Sequence, residues 1–281
     1  MSLNRPIWKL KKWVDIDKLD WYYLSSNPNA IDLLLENPKK IDFFKFSMNP
    51  NAIEYLKANP DKINFWALYN NPNAFEILIN YPHKINWHYL SADPNAIELL
   101  LKNTDKINWH CFSMNHHPKA IELILNNYDI INWHRFSLNQ HPKAVAYLKE
   151  NPDKIIWKLL SSNPNALELL KNNNDKLDFY YLCKNPNALE LIIKNIDKID
   201  INYLSCANDV EIINFISKKK DEFTLLTWKF LSENPAIFEL DYEAMKLANQ
   251  NMYEELIKEV MKPSRVFKNP DYDYIEELFG D

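Results

Sequence analysis

The sequence predicts an all-α fold, an α-solenoid of about nine to ten two-helix repeats of 22–24 residues with a cap at each end. The first observation is a phrase, Asn-Pro-Asn-Ala and its variants, whose proline recurs at steps of 22, 22, 22, 24, 24, 22 and 22 residues. Periods of this size are typical of stacked repeats. The second observation is the spacing of apolar residues, three and four apart, which favours helices over strands. The prolines that mark the period are Pro28, Pro50, Pro72, Pro94, Pro118, Pro142, Pro164 and Pro186.

The first helix of each repeat begins within the phrase itself. In the first copy Asn27 is the predicted N-cap, and Pro28 takes the first helical position, where its missing N–H costs nothing. Ile31 belongs to the apolar face that helical spacing directs toward the core. We expect Asn37 to end the helix in the left-handed conformation, which Asn tolerates better than most residues, and Pro38 to block its continuation.

The second helix of each repeat begins after an Asn or Asp cap and carries two apolar positions three residues apart. The predicted caps are Asp20, Asp42, Asn64, Asn86, Asn108, Asn132, Asp178 and Asp200. The first apolar position holds Trp21, Phe43, Phe65, Trp87, Trp109, Trp133, Trp157, Phe179 and Trp228, with Ile201 as the exception. The second holds Leu24, Phe46, Leu68, Leu90, Phe112, Phe136, Leu160, Leu182, Leu204 and Leu231. Both positions should be core, because so short a helix is unstable alone and must bury its apolar side against neighbouring copies.

The two ends of the chain depart from the regular repeat. We expect an N-terminal cap over residues 1–17, regular repeats over 18–207, a degenerate repeat over 208–240 and a C-terminal helical cap with an acidic tail over 241–281, all in one continuous domain. Residues 241–262 are predicted to form one longer helix or a helix pair. The two longer steps of the period, in SMNHHPKA and SLNQHPKA, each add two residues, which should lie in loops.

The composition disfavours one class of protein and excludes others. The chain of 281 residues has a formal charge of −5, whereas proteins that coat DNA or RNA need an excess of Lys and Arg to displace counterions. Gly280 is the one glycine in the sequence. Phosphate-binding loops and nucleophile elbows need glycine at sharp turns, so most nucleotide enzymes and α/β hydrolases are excluded.

Cysteine usage and hydropathy predict the compartment. Cys111, Cys183 and Cys206 are odd in number and show no CxxC spacing, so we expect neither a disulfide framework nor a Cys-based zinc site. A reducing compartment fits this pattern. No apolar run is long enough for a secretion signal or a membrane span, and we expect neither.

The phrase NPNAIELL…NPDKINW…LS, recurring about every 22 residues, resembles the Asn-Pro repeat proteins that giant DNA viruses of amoebae and algae, such as mimivirus, encode in large numbers. The lead-in WVDIDKLDWYYLSSNPNAI and the ending VMKPSRV…YDYIEEL are similar to the ends of that group, so the resemblance covers roughly residues 13–278. It implies a viral protein in the cytoplasm of an infected host cell, with the virus factory or the virion as narrower locations. The family has no established activity, so the resemblance supplies no catalytic residue.

A candidate binding surface lies at the two positions after each core aromatic residue, which vary while their neighbours stay constant. Large aromatic, His and Arg side chains at such positions are typical of binding anchors, and stacked repeats present extended binding surfaces. The alternative is that some of these side chains pack between helices as additional core. The predicted surface comprises Tyr22, Phe44, Trp66, His88, Tyr89, His110, His134, Arg135, Lys158 and Tyr180. No catalytic residue and no cofactor are predicted.

Three further sets of recurring residues are better explained by structure than by chemistry. His88, His110 and His134 occupy consecutive copies, but packed helices lie about 10 Å apart, too far for one such set to converge on an ion, so no metal site is predicted. A lysine follows the end of most first helices, where a cation complements the helix dipole. These lysines are Lys18, Lys40, Lys62, Lys84, Lys106, Lys154, Lys176 and Lys198. The recurring serines are Ser25, Ser47, Ser91, Ser113, Ser137, Ser161, Ser205 and Ser232, and they are assigned to helix ends rather than to a nucleophile.

The predicted function is a non-enzymatic scaffold that holds a host or viral protein against the variable surface. Single-stranded nucleic acid, stacked on the aromatic residues, is an alternative ligand that the net charge disfavours. A structural role in the virion is a third possibility, and no membrane is expected as a partner.

Overall fold

The repeated caps and prolines divide the chain into short helices, most of them joined by single 3-10 turns. The computed structural model describes residues 6–260, which form an all-α repeat solenoid, as predicted, with twenty α-helices and two short strands. The α-helices are α1 (Trp21–Leu24), α2 (Ile31–Glu36), α3 (Phe43–Met48), α4 (Ile53–Ala58), α5 (Phe65–Leu68), α6 (Phe75–Leu78), α7 (Trp87–Leu90), α8 (Ile97–Leu101), α9 (Trp109–Phe112), α10 (Pro118–Leu125), α11 (Trp133–Phe136), α12 (Pro142–Glu150), α13 (Trp157–Leu160), α14 (Leu167–Lys171), α15 (Phe179–Leu182), α16 (Leu189–Lys194), α17 (Ile201–Leu204), α18 (Val210–Ser217), α19 (Leu225–Glu233) and α20 (Tyr242–Val260). The strands are β1 (Trp8–Leu10) and β2 (Phe238–Leu240). The 3-10 turns are Ile16–Lys18, Pro28–Ala30, Pro38–Lys40, Pro50–Ala52, Pro60–Lys62, Pro82–Lys84, Pro94–Ala96, Thr104–Lys106, Tyr128–Ile130, Pro152–Lys154, Asn174–Lys176, Ile196–Lys198, Lys220–Glu222 and Pro235–Ile237.

The chain divides into two compact units. The larger unit, residues 10–238, contains the repeats, and the described part of the smaller unit combines residues 6–9 with residues 239–260. The smaller unit contains most of the two-stranded sheet of β1 and β2, which the sequence did not predict, and the single helix α20. The acidic tail predicted beyond α20 lies outside the described residues.

The odd-numbered helices α1 to α19 are the aromatic-led helices of the sequence, and we number the copies 1 to 10 by them. All eight predicted caps are confirmed, because each side-chain oxygen accepts a hydrogen bond from the backbone N–H two or three residues later. In copy 10 the cap is Thr224, which forms a capping box with Thr227. The larger unit therefore holds ten copies, the upper end of the predicted range.

The first helix of each copy begins as predicted but ends differently. Asn27 caps a 3-10 turn by accepting a bond from the Asn29 N–H at 3.0 Å, and α2 continues from that turn. The predicted left-handed ending at Asn37 is wrong, because its φ is −124° and its side chain instead donates to the Leu33 carbonyl at 2.9 Å. The same bond, to the carbonyl four residues earlier, recurs at Asn59, Asn103, Asn127, Asn151, Asn173 and Asn195. A side-chain amide thus satisfies an open carbonyl at the helix end without a left-handed residue.

The two copies with inserted residues keep their register in the array. Each insertion lies in the loop before a first helix, α10 or α12, as predicted. There His117 and His141 become the caps, and each ring Nδ1 accepts a bond from the backbone N–H two residues later, at 3.2 and 3.1 Å. Two of the seven histidines therefore have a structural role.

The two apolar positions of the aromatic-led helices differ in burial. The ten Leu and Phe side chains at the second position are all buried, as predicted. The residues at the first position are half-buried apart from Trp228, so the prediction that this position is also core is wrong for nine copies. Lysines lie over most of these rings, with Nζ 4.2 to 6.0 Å from the ring centroid. The pairs are Lys18 with Trp228, Lys40 with Trp21, Lys62 with Phe43, Lys84 with Phe65, Lys106 with Trp87 and Lys176 with Trp157. The recurring lysine, assigned from the sequence to the helix dipole, thus also makes a cation–π contact with a neighbouring copy.

We expect Lys40→Ala to lower the free energy of unfolding by about 0.5–1 kcal/mol, because its ammonium lies 4.2 Å from the Trp21 ring centroid. Lys39→Ala is the matched control, since Lys39 is the adjacent exposed lysine and its removal changes the net charge equally. Urea unfolding followed by far-UV circular dichroism measures both variants. Equal effects would mean that the ring contact contributes nothing.

A ladder of buried asparagines joins the copies. Asn49 donates through Nδ2 to the carbonyls of Ser25 and Asn27 in the preceding copy, at 3.1 and 2.7 Å, while its Oδ1 caps its own turn. We call the asparagines with this pattern the asparagine ladder. They are Asn27, Asn49, Asn71, Asn115, Asn139, Asn163, Asn185 and Asn234. All eight are buried, and the paired amides keep that burial from being destabilising.

The recurring serine supplies a second link between copies. Ser25 Oγ donates to the Trp21 carbonyl at 2.7 Å and accepts a bond from the backbone N–H of Asp42, the cap of the next copy, at 3.0 Å. This confirms that the serines serve helix ends and shows that they also fix the position of the following helix.

The ladder closes on itself, which the sequence did not predict. Asn27 of copy 1 donates to the carbonyls of Ser232 and Asn234 in copy 10, at 3.0 and 2.9 Å. The backbone N–H of Asp20 donates to Ser232 Oγ at 2.8 Å, the same link that a serine makes elsewhere in the array. Helix α1 packs on α19. The ten copies of the larger unit therefore form a closed circle.

Two copies lack the ladder asparagine. Asp93 in copy 4 still caps its turn, accepting from the Asn95 N–H at 2.9 Å, but an ionised carboxylate has no N–H for the carbonyls of copy 3. In copy 9 the position is Ala207, and Asp209 caps α18 instead. The circle therefore has fewer links between copies 3 and 4 and between copies 8 and 9.

Candidate binding surface

One side of each aromatic-led helix faces the inside of the circle. Lys45 of copy 2 reaches Glu233 of copy 10 at 3.1 Å, across copy 1. The ring centroids of Tyr180 in copy 8 and Phe230 in copy 10 are 6.2 Å apart, across copy 9. Side chains of non-adjacent copies can meet where curvature brings them together, on the concave side. These four side chains occupy the first, second and fifth positions after the aromatic residue, and we call those positions of all ten copies the inner face.

Adjacent copies make a recurring contact across the inner face, from the first position of one copy to the second position of the next. Lys45 Nζ lies 5.4 Å from the centroid of the Tyr22 ring, and His88 Nε2 lies 3.2 Å from Cys111 Sγ. These contacts leave much of the apolar surface open, and Trp66 is 71% exposed. The inner face therefore combines side chains that pack on one another with rings that a ligand could cover.

The inner face is cationic in a chain whose net charge is −5. Its cations are Lys45, Arg135, Lys158, Lys184 and Lys229. Glu233 is its one carboxylate, so the inner face carries a formal charge of +4 with His neutral. Acidic residues lie on the first helices instead, where pairs such as Glu54 with Lys57 form exposed salt bridges. A concave surface of one charge sign concentrates the electrostatic field and attracts ligands of opposite charge.

All ten predicted site residues occupy positions of the inner face. Tyr22, Phe44, Trp66, His88, Tyr89, His110, His134 and Lys158 are exposed, and Arg135 and Tyr180 are half-buried. The structure brings Tyr180 against Tyr203, with ring centroids 5.4 Å apart, and His88 against Tyr89 at 5.2 Å. That these residues bind a partner stays a prediction.

The histidines of consecutive copies have separate partners. His88 contacts Cys111, whereas His110 Nδ1 lies 2.9 Å from Asn132 Nδ2. Among residues 6–260, no three His, Cys, Asp or Glu side chains are grouped so that they could hold a metal ion.

The cysteine thiols are weak nucleophiles in this environment. Burial raises the pKa of Cys183 and of Cys206 to about 12, and burial also raises the pKa of Cys111. At neutral pH all three are therefore thiols, whereas nucleophilic attack requires the thiolate.

The sequence analysis identified Tyr180 but missed the residues around it on the inner face of copies 8 and 10. Lys184 Nζ lies 4.3 Å from the centroid of the Tyr180 ring, and both residues line a cavity of about 290 Å³ with Phe230 and Glu233. Ala207 could have indicated this cavity from the sequence alone. It replaces the ladder asparagine of copy 9 and so interrupts the ladder at the interface between copies 8 and 9.

A second cavity, of about 430 Å³, lies beside Trp66 between copies 3 and 4, and the sequence analysis missed it too. Tyr69, which lines it, occupies the position of the recurring serine. Tyr69 and Asp93 interrupt two recurring patterns at one interface, and that coincidence was visible in the sequence.

The fold and this surface define a class of protein, a closed circle of two-helix repeats with an aromatic and cationic inner face. Comparisons with protein-family models, with curated proteins and with solved structures found no match for this chain. Among the described helices, none has the length and apolar character needed to cross a lipid bilayer.

Proposed function

We propose that this protein is a non-enzymatic repeat scaffold whose inner face binds an extended, acidic segment of a partner protein. The segregation of charge carries this proposal, since a +4 inner face occurs in a chain of net charge −5. Exposed Tyr, Trp and Arg side chains are typical of binding hot spots, and complementary charge directs encounter and selects the partner. From the family resemblance we further propose that the partner is a host or viral protein, met in the cytoplasm of an infected cell, the virus factory or the virion.

Single-stranded nucleic acid is the second candidate ligand. The 71% exposure of Trp66 favours it, because open rings beside cations can stack bases. However, five inner-face cations spread over ten copies offer few phosphate contacts, and the net charge of −5 repels a polyanion. A structural role in the virion is compatible with partner binding, and detection of the protein in purified particles would identify it.

We expect the double variant Arg135→Ala/Lys158→Ala to weaken binding of an acidic peptide on the order of tenfold, because two of the five cations are lost from the inner face. The probe is a fluorescein-labelled peptide of alternating Glu and Phe residues, and fluorescence anisotropy measures its affinity.

The matched control is Lys119→Ala/Lys171→Ala, which changes the net charge by the same amount on the first helices. There the two lysines pair with Glu98 and Glu190. We expect less than about a twofold change from this control, since exposed ion pairs on another surface contribute little. Equal losses in both double variants would contradict a specific inner-face site. Tighter binding of single-stranded DNA than of the peptide, with a steep salt dependence, would support the second candidate instead.

A further inference from the structure

The interface between copies 3 and 4 is linked by a tyrosine at the position where most copies have a serine. In most copies a serine hydroxyl joins the end of one aromatic-led helix to the cap of the next. In copy 3 the phenol of Tyr69 makes this link, donating to the Lys84 carbonyl and accepting from the Asn86 N–H, both at 2.5 Å. The phenol oxygen lies at the far end of a ring, whereas the serine oxygen is bonded directly to Cβ. Residues 84–86 are therefore linked to α5 through the whole length of a tyrosine side chain.

The cavity of about 430 Å³ lies at this link, since Tyr69, Lys84 and Asn86 all line it. Phe65, Trp66 and Tyr69 provide aromatic walls, and His83 and Lys84 line the opposite side. The volume falls within the range of small-ligand pockets, which are mostly apolar with a few placed polar groups.

A second departure from the repeat weakens the same interface. Asp93 replaces the ladder asparagine of copy 4, so the two amide bonds that Asn49 makes to its preceding copy have no counterpart here. Besides the Tyr69 link, the side-chain bond from Asn95 to the Pro72 carbonyl is 3.4 Å long, against 2.8 Å for Asn51 to Pro28. The cavity thus occurs where the two ladder bonds are missing and the bond from Asn95 is long.

The chemistry of the lining selects a ligand class. No carboxylate lines the cavity, and Lys84 Nζ lies 5.6 Å from the Phe65 ring centroid, at the edge of the aromatic wall. Trp66 belongs both to this wall and to the inner face, so a segment bound there can reach the cavity. A ligand with an aromatic ring next to a carboxylate fits both the aromatic wall and the lysine of the lining. Its ring can stack on Trp66, and its carboxylate can approach Lys84.

We propose that this cavity is the specificity pocket of the inner face, where it accepts one aromatic side chain of an acidic partner segment. The ring stacks against Trp66, and an adjacent carboxylate pairs with Lys84. This inference rests on the proposed function and assigns its selective contact to one of the ten copies.

The test uses two labelled peptides, one with a Phe flanked on each side by three Glu residues and one with Ala in place of that Phe. We expect the full-length protein to bind the Phe peptide on the order of tenfold more tightly, as fluorescence anisotropy would measure. Tyr69→Ser restores the usual serine and closes the cavity, and Trp66→Ala removes its wall. Each variant should reduce the ratio of the two affinities to within about twofold, because the selective contact with the Phe ring is lost.

Phe44→Ala is the matched control, since it removes an exposed ring at the same position of copy 2, where Ser47 makes the ordinary link by accepting a bond from the Asn64 N–H. The Phe-to-Ala ratio should persist in this variant. Thermal melts exclude misfolding of Tyr69→Ser. If both peptides bind the wild type equally, or if the ratio persists in Tyr69→Ser and Trp66→Ala, the pocket assignment is wrong while the proposed function stands. If neither peptide binds, the proposed function fails as well. Preferential binding of single-stranded DNA that Tyr69→Ser abolishes would overturn the peptide assignment.

Discussion

Asn27→Ala should lower the free energy of unfolding by about 3 kcal/mol, as much as the same change at the interface between copies 1 and 2. Asn27 makes two bonds to carbonyls of copy 10, at 3.0 and 2.9 Å, and caps its own turn at 3.0 Å. Each buried hydrogen bond contributes roughly 1 kcal/mol, and the loss leaves buried carbonyls without this partner. The side chain is fully buried, so water cannot replace the amide.

Asn49→Ala is the matched control, because Asn49 likewise makes two bonds to the preceding copy and caps its own turn. Urea unfolding at one pH measures both variants. If the circle is closed, the two losses agree within about 0.5 kcal/mol, the usual limit of additivity for distant sites. A small loss for Asn27→Ala beside a large loss for Asn49→Ala would show that copies 1 and 10 are separate in solution.

Closure also changes how the array unfolds. In an open solenoid each end copy has one neighbour, so it can fray by breaking a single interface. In the closed circle every copy has two neighbours, and any local opening must break two interfaces. The links between α1 and α19 follow the same pattern as the links between the other copies. We attribute this to closure, because a copy without these links would be the first part of the array to unfold.

The repeat itself could be predicted from the sequence, because its signals are local. Each cap at an aromatic-led helix, such as Asp42, acts on an N–H two or three residues away, and the apolar spacing acts within one helix. The ending at Asn37 was predicted wrongly because an asparagine can end a helix in two ways. It can adopt the left-handed conformation, or its side chain can donate a bond to the carbonyl four residues earlier, as it does here. Burial of the aromatic position was also overestimated, since lysines from neighbouring copies share that environment.

Closure and the charged inner face could not be predicted in the same way, because both depend on curvature. The sequence specifies that Lys45 and Glu233 occur in particular copies, but only the accumulated rotation between copies brings them to 3.1 Å. The positions of the candidate site could nevertheless be identified from the sequence, because their residues vary from copy to copy while the neighbouring residues stay constant. What stayed hidden was which of them meet, and that a cavity lies at the Tyr69 link.

Asp93→Asn should stabilise the protein by about 2 kcal/mol at pH 7. The asparagine would supply the two missing ladder bonds to copy 3, each contributing roughly 1 kcal/mol, and would remove a half-buried charge. In the wild type, burial raises the pKa of the Asp93 carboxyl above its ordinary 3.8, although the bond from Asn95 and nearby His116 oppose the shift.

The stabilisation by Asp93→Asn should depend on pH in a direction set by that raised pKa. Because the folded-state pKa lies above the unfolded one, the stability associated with the protonated carboxyl is present below pH 3.8 and is lost as pH rises through the folded pKa. The difference in free energy of unfolding between Asp93→Asn and the wild type should therefore be largest at pH 7 and become smaller toward pH 4. Burial lowers the pKa of His116, so that neighbour is neutral at pH 7 and the comparison there reports Asp93 alone.

Ala207→Asn separates the hydrogen bonds of the ladder from the charge of Asp93. It would restore an amide at the other interrupted interface, between copies 8 and 9, without changing any ionisable group. We expect its stabilisation to be the same at pH 4 and pH 7, and urea unfolding of both variants at the two pH values would show the contrast. A pH-independent gain for Asp93→Asn would mean that the carboxylate charge does not weaken the interface, and no gain in either variant would mean that the ladder amides contribute little there.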